Sequence, residues 1–172
     1  MIVVTTGTNE TPFDRLVTAG GMLAGPERVV VQHGSSRLRP SGVELVDFLA
    51  FDELAELVAE ARVVVTHAGV GSVMLALGRG KVPIVMPRLA AFGEAVDDHQ
   101  ATFGRRVAMA GLVRMVEDPA SLLAAVHDPR PAAVAGFGER HRGALHAELE
   151  EVIGTGGVRA TATARVPSAG RP

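Results

Sequence analysis

The hydrophobic residues of the chain fall into short apolar runs separated by longer mixed stretches. Each run is four to six residues long, rich in valine, and continuously apolar instead of alternating between apolar and polar positions. Continuous β-branched runs are typical of strands that are covered on both faces, as in parallel sheets. The runs that we interpret as strands are Ile2–Thr6, Val29–Gln32, Val43–Phe48, Val63–Thr66, Val82–Met86 and Val113–Val116.

The stretches between these runs have helical spacing. Apolar residues recur at intervals of three and four after Phe13 and after Leu54, which is the pattern of an amphipathic helix. Asp118 and Pro119 suit the N-cap and the first turn of another helix. Further helices are predicted over Ser72–Leu77, Ala95–Ala110, Ser121–His127 and Gly136–Val152.

Strands that alternate with helices predict an α/β fold. Right-handed crossovers between parallel strands would build a doubly wound parallel sheet of the Rossmann-like type. We expect one Rossmann-like domain over residues 1–153. Residues 154–172 contain three arginines and no acidic residue among Gly, Ala, Thr and Pro, and they predict a flexible tail.

The composition limits the possible functions. Lysine and arginine number 17 and aspartate and glutamate 19, so the formal net charge is −2 and no basic excess is available for nucleic acid. The absence of cysteine excludes thiol catalysis and cysteine-ligated metals, and no spacing matches a strong metal signature, so we expect neither a metal nor a cofactor. The longest uncharged stretch, Val63–Gly78, is shorter than the ~20 apolar residues of a membrane span, which predicts a cytoplasmic protein.

Candidate chemistry lies in three loops that follow predicted strands, because ligands of parallel sheets bind at the carboxyl ends of the strands. In the first loop, Gly7 permits a tight turn, while Thr8, Asn9 and Glu10 supply donors, acceptors and a carboxylate. An alternative is that these polar residues only start the helix that follows.

The second loop, Thr66-His67-Ala68-Gly69-Val70-Gly71-Ser72, runs from a buried strand into a helix. Its glycines let the backbone approach a ligand, and the N–H groups at the positive end of the helix favour an anion such as phosphate. His67 adds a ring nitrogen and Ser72 a hydroxyl. A glycine turn can equally serve close packing, and a histidine at this position can be purely structural.

The third loop, Pro87–Gln100, carries a dense group of hydrogen-bonding side chains just where a helix is expected to begin. Such a group can bind several hydroxyls of a sugar at once. Acidic residues are also common in the first turn of a helix because of its dipole, so a structural role is the alternative. The candidate residues are Glu94, Asp97, Asp98, His99 and Gln100.

Two common nucleotide-binding motifs fail in this sequence. The segment Gly69-Val70-Gly71-Ser72-Val73-Met74 lacks the third glycine of the dinucleotide fingerprint. Gly80-Lys81 is followed by Val82 and is not preceded by the glycine that a P-loop requires. These departures disfavour an NAD-dependent oxidoreductase and a P-loop ATPase.

Three blocks of the sequence together resemble the donor-binding half of GT-B glycosyltransferases, in the order of the family 28 C-terminal domain. They are residues 66–72, residues 80–87 and Asp97-Asp98-His99-Gln100. Residues 3–16, combined with Gly93-Glu94 and the last block, look like the small catalytic subunit of two-part bacterial exopolysaccharide transferases. The resemblance covers about residues 1–127 and implies the C-terminal half of a GT-B fold.

The resemblance implies roles for the matching positions in binding and turning over a UDP-sugar, with His67 and Glu10 as the catalytic candidates. His67 and the turn formed by Gly69, Val70, Gly71 and Ser72 would hold the diphosphate. The donor sugar would contact Asp98, His99 and Gln100, and the uracil would lie at Phe51. Residues 7–10 would face the cleft between the two halves of the enzyme, and Glu10 is the candidate base if this chain supplies one.

The chain departs from the family at Leu75, where relatives carry a glutamate that binds the ribose hydroxyls. This departure puts the choice of UDP over another nucleotide in doubt. Arg88 or Arg105 could pair with a donor carboxylate, although single arginines near a site are more often solvated or in ordinary ion pairs.

The resemblance also implies an inverting, metal-independent transfer of a hexosyl group to a lipid-linked saccharide acceptor. A separate membrane-anchored subunit would supply the acceptor-binding half and hold this chain at the inner face of the plasma membrane. Three alternatives stay open. They are a non-catalytic nucleotide-binding regulatory subunit, a transferase that acts as a homodimer, and a GT-B-like UDP-GlcNAc epimerase, against which the chain length counts because such epimerases need both halves in one chain.

Overall fold

The computed structural model of the chain describes residues 1–128. The helix predicted over residues 136–152, the domain end at residue 153 and the tail predicted over residues 154–172 lie outside these residues. Within the described part, no helix is long and apolar enough to cross a membrane.

Within residues 1–128, six parallel strands form one sheet in the order β3-β2-β1-β4-β5-β6. All six predicted strands are therefore confirmed, although β1, β3, β5 and β6 are shorter than the runs that predicted them. The strands are β1 (Ile2–Thr5), β2 (Val29–Gln32), β3 (Glu44–Val46), β4 (Val63–Thr66), β5 (Ile84–Val85) and β6 (Arg114–Met115). Helices lie on both faces of this sheet, which confirms the predicted α/β, doubly wound Rossmann-like fold.

Five α-helices of the described chain connect or follow these strands. They are α1 (Asp14–Gly21), α2 (Phe51–Glu60), α3 (Val70–Gly78), α4 (His99–Met109) and α5 (Pro119–His127), with a short 3-10 helix at Ala90–Phe92. Asp118 caps α5 by accepting a hydrogen bond from the backbone N–H of Ser121, as the Asp-Pro pair predicts.

Helix α4 begins at His99 and not at Ala95, where the apolar pattern placed its start. The preceding residues form bends, because their side chains are used in hydrogen bonds to nearby loop backbone. Glu94 accepts from the N–H of Leu89, and Asp98 accepts from the N–H of Ala90. These bonds hold residues 94–98 against the 3-10 helix and delay the first α-helical turn.

Hydrophobic cores lie on both faces of the sheet, because successive strand residues point in opposite directions. On one face, Val4 packs with Phe13 and Leu16 around α1 and with the apolar side of α5. On the other face, Val3 packs with Val58 of α2 and Ala76 of α3. The continuous valine runs are thus explained by burial on both sides.

The strand register brings the carboxyl ends of the central strands to one edge. Thr5 of β1 lies opposite Gln32 of β2 and Thr66 of β4, and Thr66 lies opposite Val85 of β5. The chain leaves β1 toward β2 on one side and later returns to build β4 on the other side. The sheet therefore has its topological switch point between β1 and β4, where α/β proteins bind their ligands.

Candidate functional site

A cavity of about 360 Å³ opens at this switch point. Its walls come from the ends of β1, β2 and β4 and from the first turns of α2 and α3. One side is apolar and the other carries hydroxyl, amide and imidazole groups. The lining residues are Gly7, Thr8, Gln32, Leu49, Phe51, Leu54, His67, Gly71, Ser72 and Leu75.

The His67 ring packs between two glycines that follow the strands. A Cβ added to Gly7 would lie 2.4 Å from Cε1 of His67, and one added to Gly69 would lie 2.2 Å from Nε2. Gly7 also has a φ of +78°, which favours glycine for a second reason. A Cβ on Gly71 would meet nothing within 4 Å, so of these glycines only the first two make room for the imidazole.

His67 is neutral at physiological pH. Burial, together with the positive charge of Arg88, lowers the pKa of its imidazole to about 4, although a backbone hydrogen bond with Thr5 opposes the shift. The Nδ1 atom lies 3.2 Å from Oγ1 of Thr66. A neutral ring retains one N–H donor and one acceptor, so His67 can bind a ligand without carrying charge.

The lowered pKa of His67 predicts a loss of stability in acid. The unfolded imidazole takes up a proton near pH 6.5, whereas the folded one resists until about pH 4. Stability should therefore be unaffected by this group above pH 6.5 and fall by up to about 3 kcal/mol as the pH drops to 4. Urea unfolding of wild type, His67→Gln and the exposed-residue control His127→Gln across pH 4–7.5 checks this: only His67→Gln should show a shallower decline.

The N-terminus of α3 faces the cavity through Gly71 and Ser72. Gly69 is its N-cap and offers no side chain to cap the helix. The first N–H groups of a helix have no intrahelical partner, and the helix dipole adds partial positive charge there. The turn is consequently suited to an anionic ligand.

The cavity also includes residues that the sequence analysis did not single out. The buried side chain of Gln32 at the end of β2 is fixed by a hydrogen bond from the hydroxyl of Thr5, and Leu49 and Leu54 extend the apolar side. The sequence could have indicated Gln32, because it is a polar residue at the end of an apolar strand. Nothing in the sequence around Leu49 and Leu54 indicates the cavity, because only the path of the chain between β3 and α2 brings them to it.

The remaining candidates of the first two loops lie beside this lining. Asn9 accepts a hydrogen bond from the N–H of Thr11 at 2.8 Å, which fixes the turn before α1. Glu10 is exposed to solvent. Val70 is the first residue of α3 and packs against one of the apolar cores. Phe51 is the first residue of α2, with 69% of its surface exposed at the mouth of the cavity.

The third loop contributes no residue to the cavity lining, although it lies at the same edge of the sheet. Asp97, Asp98 and His99 are exposed at the start of α4, and Asp97 pairs with the His99 imidazole, which lowers the pKa of the aspartate. Gln100 is buried, and its Oε1 accepts a hydrogen bond from the N–H of Arg88 at 3.2 Å.

Glu94 is buried in an ion pair with Arg15. Nη2 of Arg15 lies 2.8 Å from one carboxylate oxygen, and Nε lies 3.1 Å from the other. The same arginine donates to the carbonyls of Pro87 and Glu117. This carboxylate therefore ties the third loop to α1.

Of the two arginines considered for a donor carboxylate, Arg88 is not accessible to one, because it is 1% exposed and its guanidinium is used inside the protein. Arg105 is exposed and lies 3.7 Å from the carboxylate of Glu117, in an ordinary surface ion pair. The partners of Arg88 come from distant parts of the sequence, so no local pattern marked it as buried. Across residues 1–128, no group of three or more acidic, histidine or cysteine side chains is arranged to hold a metal ion.

Solved structures with a similar fold are glycosyltransferases, and each is more than twice as long as the matched part. CalG4, the calicheamicin glycosyltransferase, is 22% identical with a TM-score of 0.58, covering 90% of this chain and 43% of that one. The glycotransferase of kitacinnamycin is 21% identical with a TM-score of 0.57, and the match covers 88% of this chain and 39% of that one. MurG of Acinetobacter baumannii is 19% identical with a TM-score of 0.51, and the match covers 74% of this chain and 41% of that one.

The chain thus spans about two fifths of the length of these structures, and at such identities the likeness concerns the fold. No curated protein sequence matches the chain. The model of one protein family does match it, over residues 1–134, and this range includes the whole sheet and every wall of the cavity. The chain belongs to the glycosyltransferase family 28 C-terminal domain family.

Proposed function

We propose that the chain is the donor-binding half of an inverting glycosyltransferase and holds a UDP-sugar in the cavity between β1 and β4. The observation that carries this proposal is the α3 N-terminus, which opens into the cavity through Gly71 and Ser72 beside the neutral His67. A diphosphate is the anion that such a helix terminus favours.

The diphosphate would lie on the first turn of α3. The N–H groups of that turn and the Ser72 hydroxyl would donate hydrogen bonds to its oxygens, and His67 would donate from its ring. As the acceptor hydroxyl oxygen attacks the anomeric carbon, the bond from that carbon to the phosphate oxygen breaks. The negative charge that then develops on the UDP leaving group would be stabilised by these fixed donors, with no metal required.

The nucleoside would occupy the apolar side of the cavity. Phe51 offers an exposed aromatic face for uracil, and Leu49 and Leu54 lie beside it. Leu75 lines the same cavity one turn after the glycine turn and offers the ribose no hydrogen bond. The hydroxyl of Thr8 and the amide of Gln32 are the polar groups within reach of this wall.

The donor sugar would extend from the diphosphate toward the start of α4. Asp97, Asp98 and His99 are exposed there, and Gln100 begins the buried side of the helix. Paired carboxylates and an imidazole can bind several hydroxyls of one hexose. Glu94 would act by holding this loop in place, because its own carboxylate is already bound by Arg15.

The acceptor side of the reaction requires a second half, since the chain matches only about two fifths of its structural relatives. We infer a separate membrane-anchored subunit that binds a lipid-linked saccharide in exopolysaccharide synthesis, holds this chain at the inner face of the membrane and supplies the catalytic base. The exposed Glu10 is the alternative base, because it follows the cavity residue Thr8 closely.

A non-catalytic nucleotide-binding subunit is the second candidate function. Leu75 favours it, since a site that has lost a carboxylate to the ribose can retain binding without turnover. Such a subunit would bind UDP but would support no transfer when combined with its partner, whereas the catalytic half would support both.

The primary test is binding of UDP measured by calorimetry. Wild type should bind UDP, and Ser72→Ala should weaken binding by about tenfold through loss of one hydrogen bond to a charged group. Ser41→Ala removes the same hydroxyl from an exposed loop outside the cavity and should leave the affinity unchanged. A folded wild-type chain with no measurable UDP binding at millimolar concentration would overturn the proposal.

A further inference from the structure

The structure buries one arginine that the chemistry above does not use. Arg88 lies two residues after Met86, which ends the apolar run that contains β5. Its side chain is 1% exposed and is among the largest fully buried side chains of residues 1–128. Its guanidinium lies 4.7 Å from the centroid of the Phe13 ring. Burial of this kind lowers the pKa of the guanidinium, although the carboxylate of Glu94 acts in the opposite direction.

The hydrogen bonds of Arg88 connect two of the loops at the carboxyl edge of the sheet, the loop after β1 and the loop after β5. Nη2 donates to the carbonyl of Thr6 at 3.0 Å. Nη1 donates to the carbonyl of Thr11 at 2.8 Å and, with longer bonds, to those of Pro12 and Glu94. Its backbone N–H also donates to Gln100. The guanidinium thus ties the loop after β1 to the loop after β5, while the backbone of Arg88 is tied to the start of α4.

The charge of Arg88 has no matching carboxylate contact in the described residues. No acidic side chain there lies within 4.0 Å of the guanidinium, because the Glu94 carboxylate is bound by Arg15. Within the described residues, Nε has no hydrogen-bond partner. Burial of a cation without a carboxylate partner is costly to the fold, and the bonds to backbone carbonyls offset only part of that cost.

The uncompensated charge acts on the cavity that we assign to the diphosphate. The Thr6 carbonyl that Nη2 of Arg88 binds at 3.0 Å directly precedes Gly7, which lines the cavity and packs against the His67 ring. The positive charge behind this wall also contributes to the lowered pKa of the His67 imidazole. Charges interact strongly where water is excluded, so a buried cation behind the cavity wall favours an anion in front of it. Direct contact is excluded, because the guanidinium is covered on all sides.

We propose that Arg88 is a positioning residue that holds the loop after β1 against the loop after β5 and supplies, from behind the cavity wall, positive charge that favours the diphosphate of the donor. This inference rests on the proposed function, because it names the origin of the site's preference for an anion.

The test compares UDP with uridine, which lacks the diphosphate. In Arg88→Gln, which keeps hydrogen-bond donors but removes the charge, the ratio of UDP affinity to uridine affinity should fall by about tenfold or more. In Arg88→Lys, which keeps the charge but loses the planar fork, the ratio should stay within about threefold of wild type. Arg62→Met removes an arginine at the opposite edge of the sheet, where it pairs with Glu27, and should leave the ratio unchanged.

A second readout does not depend on any ligand. The pKa of His67, which NMR of its ring would follow, should be about 4 in wild type, rise in Arg88→Gln and stay low in Arg88→Lys and Arg62→Met. An unchanged pKa and an unchanged affinity ratio in folded Arg88→Gln would overturn the inference. Should that variant fail to fold, an ordinary His67 pKa in Arg88→Lys would overturn it, and a low one would support it.

The two proposals fail in different ways. If wild type binds neither UDP nor uridine, the proposed function is wrong whatever the pKa of His67 does. If wild type binds UDP more tightly than uridine and Arg88→Gln preserves that preference, the proposed function stands and the role of Arg88 does not.

Discussion

Replacing Gly69 with alanine should reduce UDP affinity by at least about 100-fold while the chain still folds. The new Cβ would lie 2.2 Å from Nε2 of His67, and the ring cannot retreat because Gly7 and its neighbours are packed against its other side. The imidazole and the α3 N-terminus must then move apart, and displacements near 1 Å are enough to cost about 100-fold at a positioned site. Overpacking should also lower the free energy of unfolding by about 1–3 kcal/mol.

The matched control for this substitution is Gly78→Ala. It makes the same chemical change at the other end of the same helix, where an added Cβ meets nothing within 4 Å. UDP affinity is measured by calorimetry and the free energy of unfolding by urea titration, each on both variants. The comparison separates an effect on the binding site from a general effect of adding a methyl group to the helix. Full UDP affinity in Gly69→Ala would show that the His67 ring is not part of the binding site.

The second large effect is expected on stability, at the ion pair between Glu94 and Arg15. Replacing Glu94 with glutamine leaves the Arg15 charge without its carboxylate in a place where both side chains are nearly covered, at 14% and 7% exposure. Loss of one partner of a buried pair should lower the free energy of unfolding by about 3 kcal/mol. The double variant Arg15→Met with Glu94→Gln should recover part of this loss, because no unpaired charge is then left behind.

An exposed pair provides the comparison. Arg28 and Glu44 are about half exposed, so Glu44→Gln should cost less than about 1 kcal/mol. Urea unfolding of all variants gives the stabilities, and UDP-sugar binding by the folded fraction gives the function. A small loss of stability in Glu94→Gln together with a large loss of sugar-dependent affinity would mean that the carboxylate contacts the donor instead of holding its loop.

Much of the fold could be predicted because its signals are local. The valine runs at residues 2–6 and 63–66 required burial on both faces, and a parallel sheet is the arrangement that provides it. The Asp118-Pro119 pair marked the start of α5 for an equally local reason. The start of α4 could not be read in this way, because Glu94 and Asp98 are engaged by loop backbone that the apolar pattern does not describe.

The site was predictable only in part, for the same reason. The turn after β4 could be located from its glycines and from the direction of the strand, and the structure brings His67, Gly71 and Ser72 together there. The reason for Gly69 depends on the position of the His67 ring, which sequence spacing does not reveal. Arg88 depends on carbonyls as far as 82 residues away along the chain, so its burial became evident only in three dimensions.

The two border strands of the sheet limit how copies of this chain can associate. β3 has three residues and β6 has two, and each begins with a charged side chain, Glu44 or Arg114. Because these edge strands are short and charged, they offer a neighbouring molecule few backbone groups with which to pair. This protects against edge-to-edge association of sheets. Concentrated preparations should therefore resist fibrillar aggregation through residues 1–128.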